Sequence, residues 1–157
     1  MWRFMAPIVA AGETFSWDQA MPEAEARDIW FAPPPGATLV AVDAERGDVI
    51  GTAVMVPNHG GPASHVATAS FMVDRAHARR GAGRALGEAV IDRSRHVGFR
   101  AIQFNAVVES NTPAVTLWRA LGFEVLATIP EAFDHPDHGY VGLHVMHQSL
   151  LDEPVRG

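Results

Sequence analysis

Val73-Asp74-Arg75-Ala76-His77-Ala78-Arg79-Arg80-Gly81-Ala82-Gly83-Arg84-Ala85-Leu86 is the stretch on which the fold turns. The apolar run His65–Val73 before it predicts a strand. Arginines and glycines follow, and Arg80–Val97 then shows a helical pattern, with Leu86, Ala89, Val90 and Val97 on one face and Gly98 as the stop. The first turn of such a helix has unpaired backbone N–H groups and the positive end of the dipole. Gly81 and Gly83 remove side chains that would hold an anion away, and Arg79, Arg80 and Arg84 add charge. The junction suits a phosphate-bearing ligand, and a glycine-containing helix start without a ligand is the plainer account. It is not a Walker loop, which needs Gly-Lys-Ser/Thr, and it lacks the third glycine and downstream acid of a dinucleotide fingerprint.

Upstream, residues 2–10 predict a short helix. Pro22-Glu23-Ala24-Glu25 starts a second helix that runs to about Trp30, before the breaker Pro33-Pro34-Pro35-Gly36. Residues 38–42 and 49–56 predict a strand pair around a hairpin loop at 43–48. Downstream, residues 101–108 form a strand. Asn111 or Thr112 caps a helix that carries Val115, Leu117, Trp118 and Leu121 and ends at Gly122. Strands at 123–129 and 140–147, separated by a loop rich in Asp, His and Pro, bring the set to about six. Strand pairs come first and strand–helix–strand later, so the expected class is α/β with a mixed sheet.

The chain has 157 residues, 48% apolar and 19% charged, which fits one globular domain with residues 151–157 as a loose tail. There is no cysteine, hence no disulfide, thiolate metal site or cysteine nucleophile. No apolar run approaches the ~18 residues of a membrane span. Met1–Pro7 lacks the charged-then-apolar order of a secretory signal, so a cytoplasmic location is expected. There is also no lysine. Residues 75–100 hold seven arginines against two acids, while residues 1–74 hold three against nine and residues 101–157 two against seven. One basic island in an acidic chain argues against nucleic-acid binding, which needs a broad basic face, and for a local polyanion. A solvated helix face is the alternative.

Ala78-Arg79-Arg80-Gly81-Ala82-Gly83 resembles the acetyl-CoA pyrophosphate loop of the GNAT superfamily of N-acetyltransferases, Arg/Gln-x-x-Gly-x-Gly/Ala, with Ala78 in the leading Arg/Gln position. Asn111–Phe123 resembles the family's Asn-x-x-Ala-x-x-Leu-Tyr-x-x-x-Gly-Phe segment, with Trp118 in place of the tyrosine. Four further stretches resemble the branch that contains azetidine-2-carboxylate (proline-analogue) acetyltransferases: His65-Val66-Ala67, Phe104–Asn111, Leu117-Trp118 and Gly139-Tyr140-Val141. The resemblance implies a mostly antiparallel sheet with one splayed parallel pair and flanking helices. In that pattern a first strand precedes the helix at 2–10. The chain begins inside that helix: either the open reading frame is short or the protein does without the strand, and in the second case a sheet edge is open for pairing, as in a homodimer.

The resemblance also implies a site. Backbone groups of Phe71, Met72 and Val73 would hold the pantetheine arm as an added strand, one N–H polarising the thioester carbonyl. Arg79, Arg80, Gly81, Ala82, Gly83 and Arg84 would take the pyrophosphate. Asn111 would contact the pantetheine end, with Ala114 leaving space, although a plain N-cap also accounts for Asn111. Family members often use a tyrosine acid where Trp118 stands, and indole N–H is no acid. Tyr140 is the chain's one tyrosine and a candidate acid, with a half-buried strand aromatic as the plainer account. Many relatives carry a glutamate base on the third strand, and residues 65–73 hold none. The candidates are His65, Glu109 and a water chain. Asn105 would orient a substrate amine or carboxylate, or serve as a structural amide. Glu13, Thr14 and Phe15 would build the acceptor pocket, which Trp17 either walls or underpins.

The function so implied is direct transfer of acetyl from acetyl-CoA to a small-molecule amine, an amino acid or toxic analogue. The alternatives are a non-catalytic acyl-CoA-binding domain and an acetyltransferase acting on a protein amine. His135, His138, His144 and His147 invite a metal reading, but His144 and His147 face opposite sides of a strand and no acidic array supports the His135–His138 loop, so no metal is expected.

Overall fold

The computed structural model describes residues 1–151, and the expected tail beyond Leu151 lies outside the described residues. Four helices and six strands follow in the order α1 (Trp2–Ala11), α2 (Glu23–Trp30), β1 (Ala37–Val42), β2 (Val49–Pro57), β3 (Val66–Val73), α3 (Ala82–Val97), β4 (Ala101–Val108), α4 (Thr112–Ala120), β5 (Glu124–His135) and β6 (Gly139–Ser149). The strands form one sheet in the order β1-β2-β3-β4-β6-β5. Every neighbouring pair is antiparallel except β3 with β4. The parallel pair is the one joined through α3, as a crossover helix requires.

Strand alternation sorts the core into two layers. Ala53, Met55, Ala67, Ile102, Phe104 and Met146 point to one face and are covered by α3 and α4 through Leu86, Val90, Ile91 and Trp118. Val54 and Met72 point to the other, beneath Phe4, Met5, Ile8 and Val9 of α1 and Trp30 of α2. Trp30 is 1% exposed, and its Nε1 donates to Thr52 Oγ1 at 2.9 Å, which in turn donates to the Leu39 carbonyl at 2.9 Å. That chain lets a polar pair be buried without an orphaned group.

Element boundaries differ from expectation where backbone conformation overrides pattern. α3 begins at Ala82, because Arg79 (φ 63°) and Gly81 (φ 86°) adopt left-handed conformations and a 3₁₀ turn occupies Arg75–His77. β5 continues to His135, so the expected Asp/His/Pro loop is a short turn at 136–138. The extra length of β5 is taken up by a bulge between Ile129 and Phe133 that carries Glu131 at φ 51°. β1 is an edge strand, with Val40 and Val42 exposed.

Candidate acyl-transfer cleft

The site follows from where β3 and β4 stop pairing. Their register holds only at Val66–Ala101 and Ala67–Ile102, and the Arg100 N–H closes that end on the His65 carbonyl at 2.9 Å. Beyond Ile102 the strands part. β4 bends away through a bulge in which Asn105 and Ala106 oppose one residue of β6.

The phase of the ladder tells which groups face the gap. The Asp74 N–H donates to Ile50 O and the Val66 carbonyl accepts from Asn58 N–H, both at 2.8 Å, so even-numbered residues of β3 turn to β2. Ala69, Phe71 and Val73 therefore turn their N–H and C=O groups toward the splay, where no strand partner meets them. Met72, expected beside them, turns its backbone to β2 and its side chain under α1, as the odd–even alternation demands.

The splay opens a cleft of about 300 Å³ lined from both layers. Thr68, Ser70, Asn105 and the α1–α2 loop residues Thr14, Phe15, Ser16 and Trp17 line it on one face, and Ala69, Phe71, Phe104, Asn111, Ala114 and Trp118 on the other. It thus passes through the sheet. Among the described residues, no charged or histidine side chain lines it. Trp118 is 6% exposed and packs on Phe71 (4.5 Å between centroids) and Phe104 (5.0 Å), forming a wall. Trp17 both lines the cleft and stacks edge-on against Trp30 at 5.7 Å. Asn111 caps α4, its Oδ1 accepting from Ala114 N–H at 3.4 Å, and also faces the cleft.

At the gap's open end stands the start of α3. Its first internal bond is Ala85 N–H to Gly81 O, so the N–H groups of Ala82, Gly83 and Arg84 have no partner within the helix, and no side chain caps it. A Cβ on Gly81 would meet nothing within 4 Å. The cradle is open for an anion at a left-handed position that glycine alone adopts without strain. Of the arginines, Arg79 has no ion-pair partner among the described residues. Arg84 pairs with Glu88 at 3.5 Å. Arg80 reaches across to Asp43 at 3.3 Å. Asp43 Oδ1 accepts from the N–H groups of Glu45 and Arg46, and these bonds, with Arg80 and His77 nearby, hold its carboxyl below the ordinary value of 3.8.

His65, Glu109, Tyr140 and Glu13 do not line the cleft. His65 is exposed at the zipped end of β3, its Nδ1 donating to Pro62 O at 3.1 Å. The Glu109 carboxylate accepts from Gly142 N–H at 3.0 Å. Tyr140 is 68% exposed near the β5–β6 turn, so it is no half-buried aromatic. Glu13 pairs with Arg75 at 2.7 Å beside the α1–α2 loop. Asn105 lies in the bulge of β4, is exposed, and lines the cleft. Its amide partners, Asn58 and Gln103, escape sequence reading: Asn58 is 47 residues away in the chain, and no spacing rule links them. The His135 and His138 rings stack at 4.5 Å, and His135 Nδ1 accepts from Asp137 N–H. Among the described residues no three His, Cys, Asp or Glu side chains gather as a metal site, and no helix is long and apolar enough to cross a membrane.

Comparison with known proteins adds a family match and three similar proteins. Residues 2–123 match the model of the Acetyltransferase (GNAT) family. A GCN5-related N-acetyltransferase from Kribbella flavida is 56% identical, over 95% of this chain and 89% of its own, with a TM-score of 0.92. N-acetyltransferase aca1 of Schizosaccharomyces pombe is 27% identical over 152 residues, 87% of this chain and 72% of its own. A phosphinothricin acetyltransferase from Sinorhizobium meliloti, solved in complex with AcCoA, shares the fold at 22% identity and TM-score 0.80, over 99% of this chain and 86% of its own.

Proposed function

Because the chain belongs to the acetyltransferase (GNAT) family, we propose that it moves an acetyl group from acetyl-CoA directly to the amine of a small amino acid or toxic analogue, of the azetidine-2-carboxylate kind. The observation that carries the reading is the through-sheet cleft. One face offers unpaired strand groups and an anion cradle for a long phosphorylated donor, and the opposite face offers a small polar pocket for an acceptor.

The residues present fit acetyl-CoA as a substrate. The N–H and C=O groups of Ala69, Phe71 and Val73 supply the edge against which a pantetheine amide chain pairs. The N–H groups of Ala82, Gly83 and Arg84, with Arg79, hold the pyrophosphate. The Arg84–Glu88 pair is exposed at both ends and weak, so Arg84 is free to turn to phosphate, whereas Arg80 is held by Asp43, whose side chain is 5% exposed. Asn111 and Ala114 border the path between. The thioester supplies an activated acetyl group: an N–C bond forms, the C–S bond breaks, and the thiol leaves with a proton.

The chain's own part is mainly binding and orientation. One free N–H of β3 polarises the carbonyl. With no titratable side chain in the lining among the described residues, the amine attacks in its neutral form and its proton leaves through water, along a path that His65 or Glu109 serves only from outside the cleft. Asn105 orients the acceptor. Tyr140 is too far toward the hairpin tip to be a first choice of acid. The cysteine-free composition supports direct transfer and a cytoplasmic setting, and the open β1 edge supports a homodimer.

Thiol release from acetyl-CoA across a panel of amines, amino acids and basic peptides, with mass spectrometry of the products, tests the reading. Turnover on free amino acids or their analogues is expected. Turnover confined to peptides moves the acceptor to a protein amine, and CoA binding with no turnover makes the domain a non-catalytic binder.

A further inference from the structure

We propose that Trp118, seated against the α3 main chain at Gly87, is a specificity-determining residue that bounds the acyl group of the donor, so that acetyl-CoA is taken in preference to propionyl-CoA and longer esters. The inference rests on the acetyltransferase reading above and adds what limits its donor.

Three rings meet beneath the gap where the strands part. Phe71 of β3 and Phe104 of β4 stand 5.7 Å apart between centroids, and Trp118 of α4 packs on both, at 4.5 Å and 5.0 Å. All three line the cleft on its helical face, at the level of the free Phe71 N–H. A thioester carbonyl held by that N–H places its alkyl carbon beside these rings. The floor so made has a helix directly behind it. A Cβ added at Gly87 would come within 3.1 Å of Trp118 Cζ3 and 2.6 Å of Leu121 Cδ1. The indole thus lies nearer the α3 main chain than a side chain at position 87 would allow. Glycine weakens a helix interior, and the close seat of Trp118 is what it permits here.

The remaining sides of the chamber are as firm. Phe104 stacks on Phe123 at 4.3 Å, and both rings are buried, so Phe104 cannot recede either. At the far end the strands are zipped at Ala67–Ile102, where paired backbone closes the gap. Ala69 and Ala114 leave passage for a narrow pantetheine chain, but neither carries a side chain that could swing aside to lengthen the acyl space. A surplus methylene there has to move a ring that has main chain behind it and other rings beside it, and a packed interior resists that displacement.

The test uses the full chain with acetyl-, propionyl- and butyryl-CoA as donors, azetidine-2-carboxylate as acceptor and thiol release as the readout. The unaltered protein should prefer acetyl-CoA to propionyl-CoA by at least about tenfold in kcat/KM, the scale of one surplus methylene in a closed apolar pocket. Trp118→Phe removes more bulk than one methylene and leaves room over Gly87 into which the floor can recede, so the acetyl-to-propionyl ratio should fall to within about threefold. Phe123→Leu is the control for general loosening: Phe123 is buried behind Phe104 and does not line the cleft, so Tm should fall while the ratio stays. Equal use of acetyl- and propionyl-CoA by the unaltered protein, an unchanged ratio in Trp118→Phe, or the same relaxation in Phe123→Leu overturns the proposal. A second measurement is independent of turnover: by titration calorimetry the unaltered protein should bind acetyl-CoA at least about tenfold more tightly than butyryl-CoA, and Trp118→Phe should narrow that gap. Equal affinities in the unaltered protein also overturn it. Failure of every amine to turn over while selective binding persists counts against the acetyltransferase reading and not against this one, equal turnover of all three donors does the reverse, and no binding of any CoA ester overturns both.

Discussion

Gly81→Ala tests the anion cradle with two readouts of separate origin. Gly81 sits at φ 86°, ψ −7° as the N-cap of α3, and an added Cβ there meets nothing within 4 Å. The stability cost is thus conformational and not steric, about 1–2 kcal/mol for an L-residue in the left-handed region. At about 2–4 °C per kcal/mol for a chain of this size, Tm should fall by roughly 2–8 °C. The same methyl group adds bulk at the residue that opens the row of free N–H groups of Ala82, Gly83 and Arg84, on which a phosphate has to settle. KM for acetyl-CoA should rise at least about tenfold, equal to about 1.4 kcal/mol of lost binding, with acceptor KM unchanged. Gly83→Ala is the counterpart, since its Cβ would sit in ordinary contact with Leu117 at 3.4 Å inside the first helical turn. It should gain about 0.5–1 kcal/mol of stability from helix propensity. Differential scanning calorimetry and steady-state thiol-release kinetics measure the two effects. A lowered Tm with unchanged KM for acetyl-CoA in Gly81→Ala would refute the cradle while leaving the strain argument standing.

Two further expectations follow from the same geometry. Trp118→Phe keeps an aromatic ring against Phe71 and Phe104 and should retain most of kcat, because the indole serves as a wall; complete loss of rate with the fold intact, judged by circular dichroism, would assign it a chemical role. Asp43 titrates below its ordinary value of 3.8 in the folded chain, so between the two values the unfolded chain binds more protons and stability falls as pH drops below 3.8. Asp43→Asn should remove that part of the acid sensitivity in urea midpoints measured across pH 2–5, and, by freeing Arg80, alter KM for acetyl-CoA more than kcat. A midpoint profile that keeps the wild-type slope would show that Asp43 does not titrate there.

Much of the fold was legible because its signals are local. Gly98 and Gly122 both adopt positive φ after helices, as their positions in the pattern require. The alternation in residues 49–57 and 66–73 states which side chains enter which layer. The start of α3 was less legible, since a left-handed Arg79 follows no composition rule. The length of β5 was hidden for a similar reason: Pro130 and Glu131 look like an end to pairing, and the bulge lets the strand resume. In the site, Asn111 and Ala114 were marked by the family resemblance and line the cleft, whereas His65 and Glu109 were drawn by chemistry alone and lie where the ladder has closed or a backbone N–H already occupies the carboxylate.

By itself the sequence determined the order of elements, the glycine-opened helix start after a strand, and the absence of cysteine from these 157 residues. These are written in neighbouring residues, and short-range backbone sterics and hydrogen bonding suffice to read them. Tertiary structure alone decided which backbone groups remain unpaired and which amide faces which. The free edge of Ala69, Phe71 and Val73 exists because β4 bends at a bulge, and the Asn105 amide has a side-chain partner because Asn58, just past the end of β2, reaches it from two places away in the sheet. Both depend on groups distant in the chain meeting in one geometry, and pairing of that kind is set by packing the whole sheet between its helices.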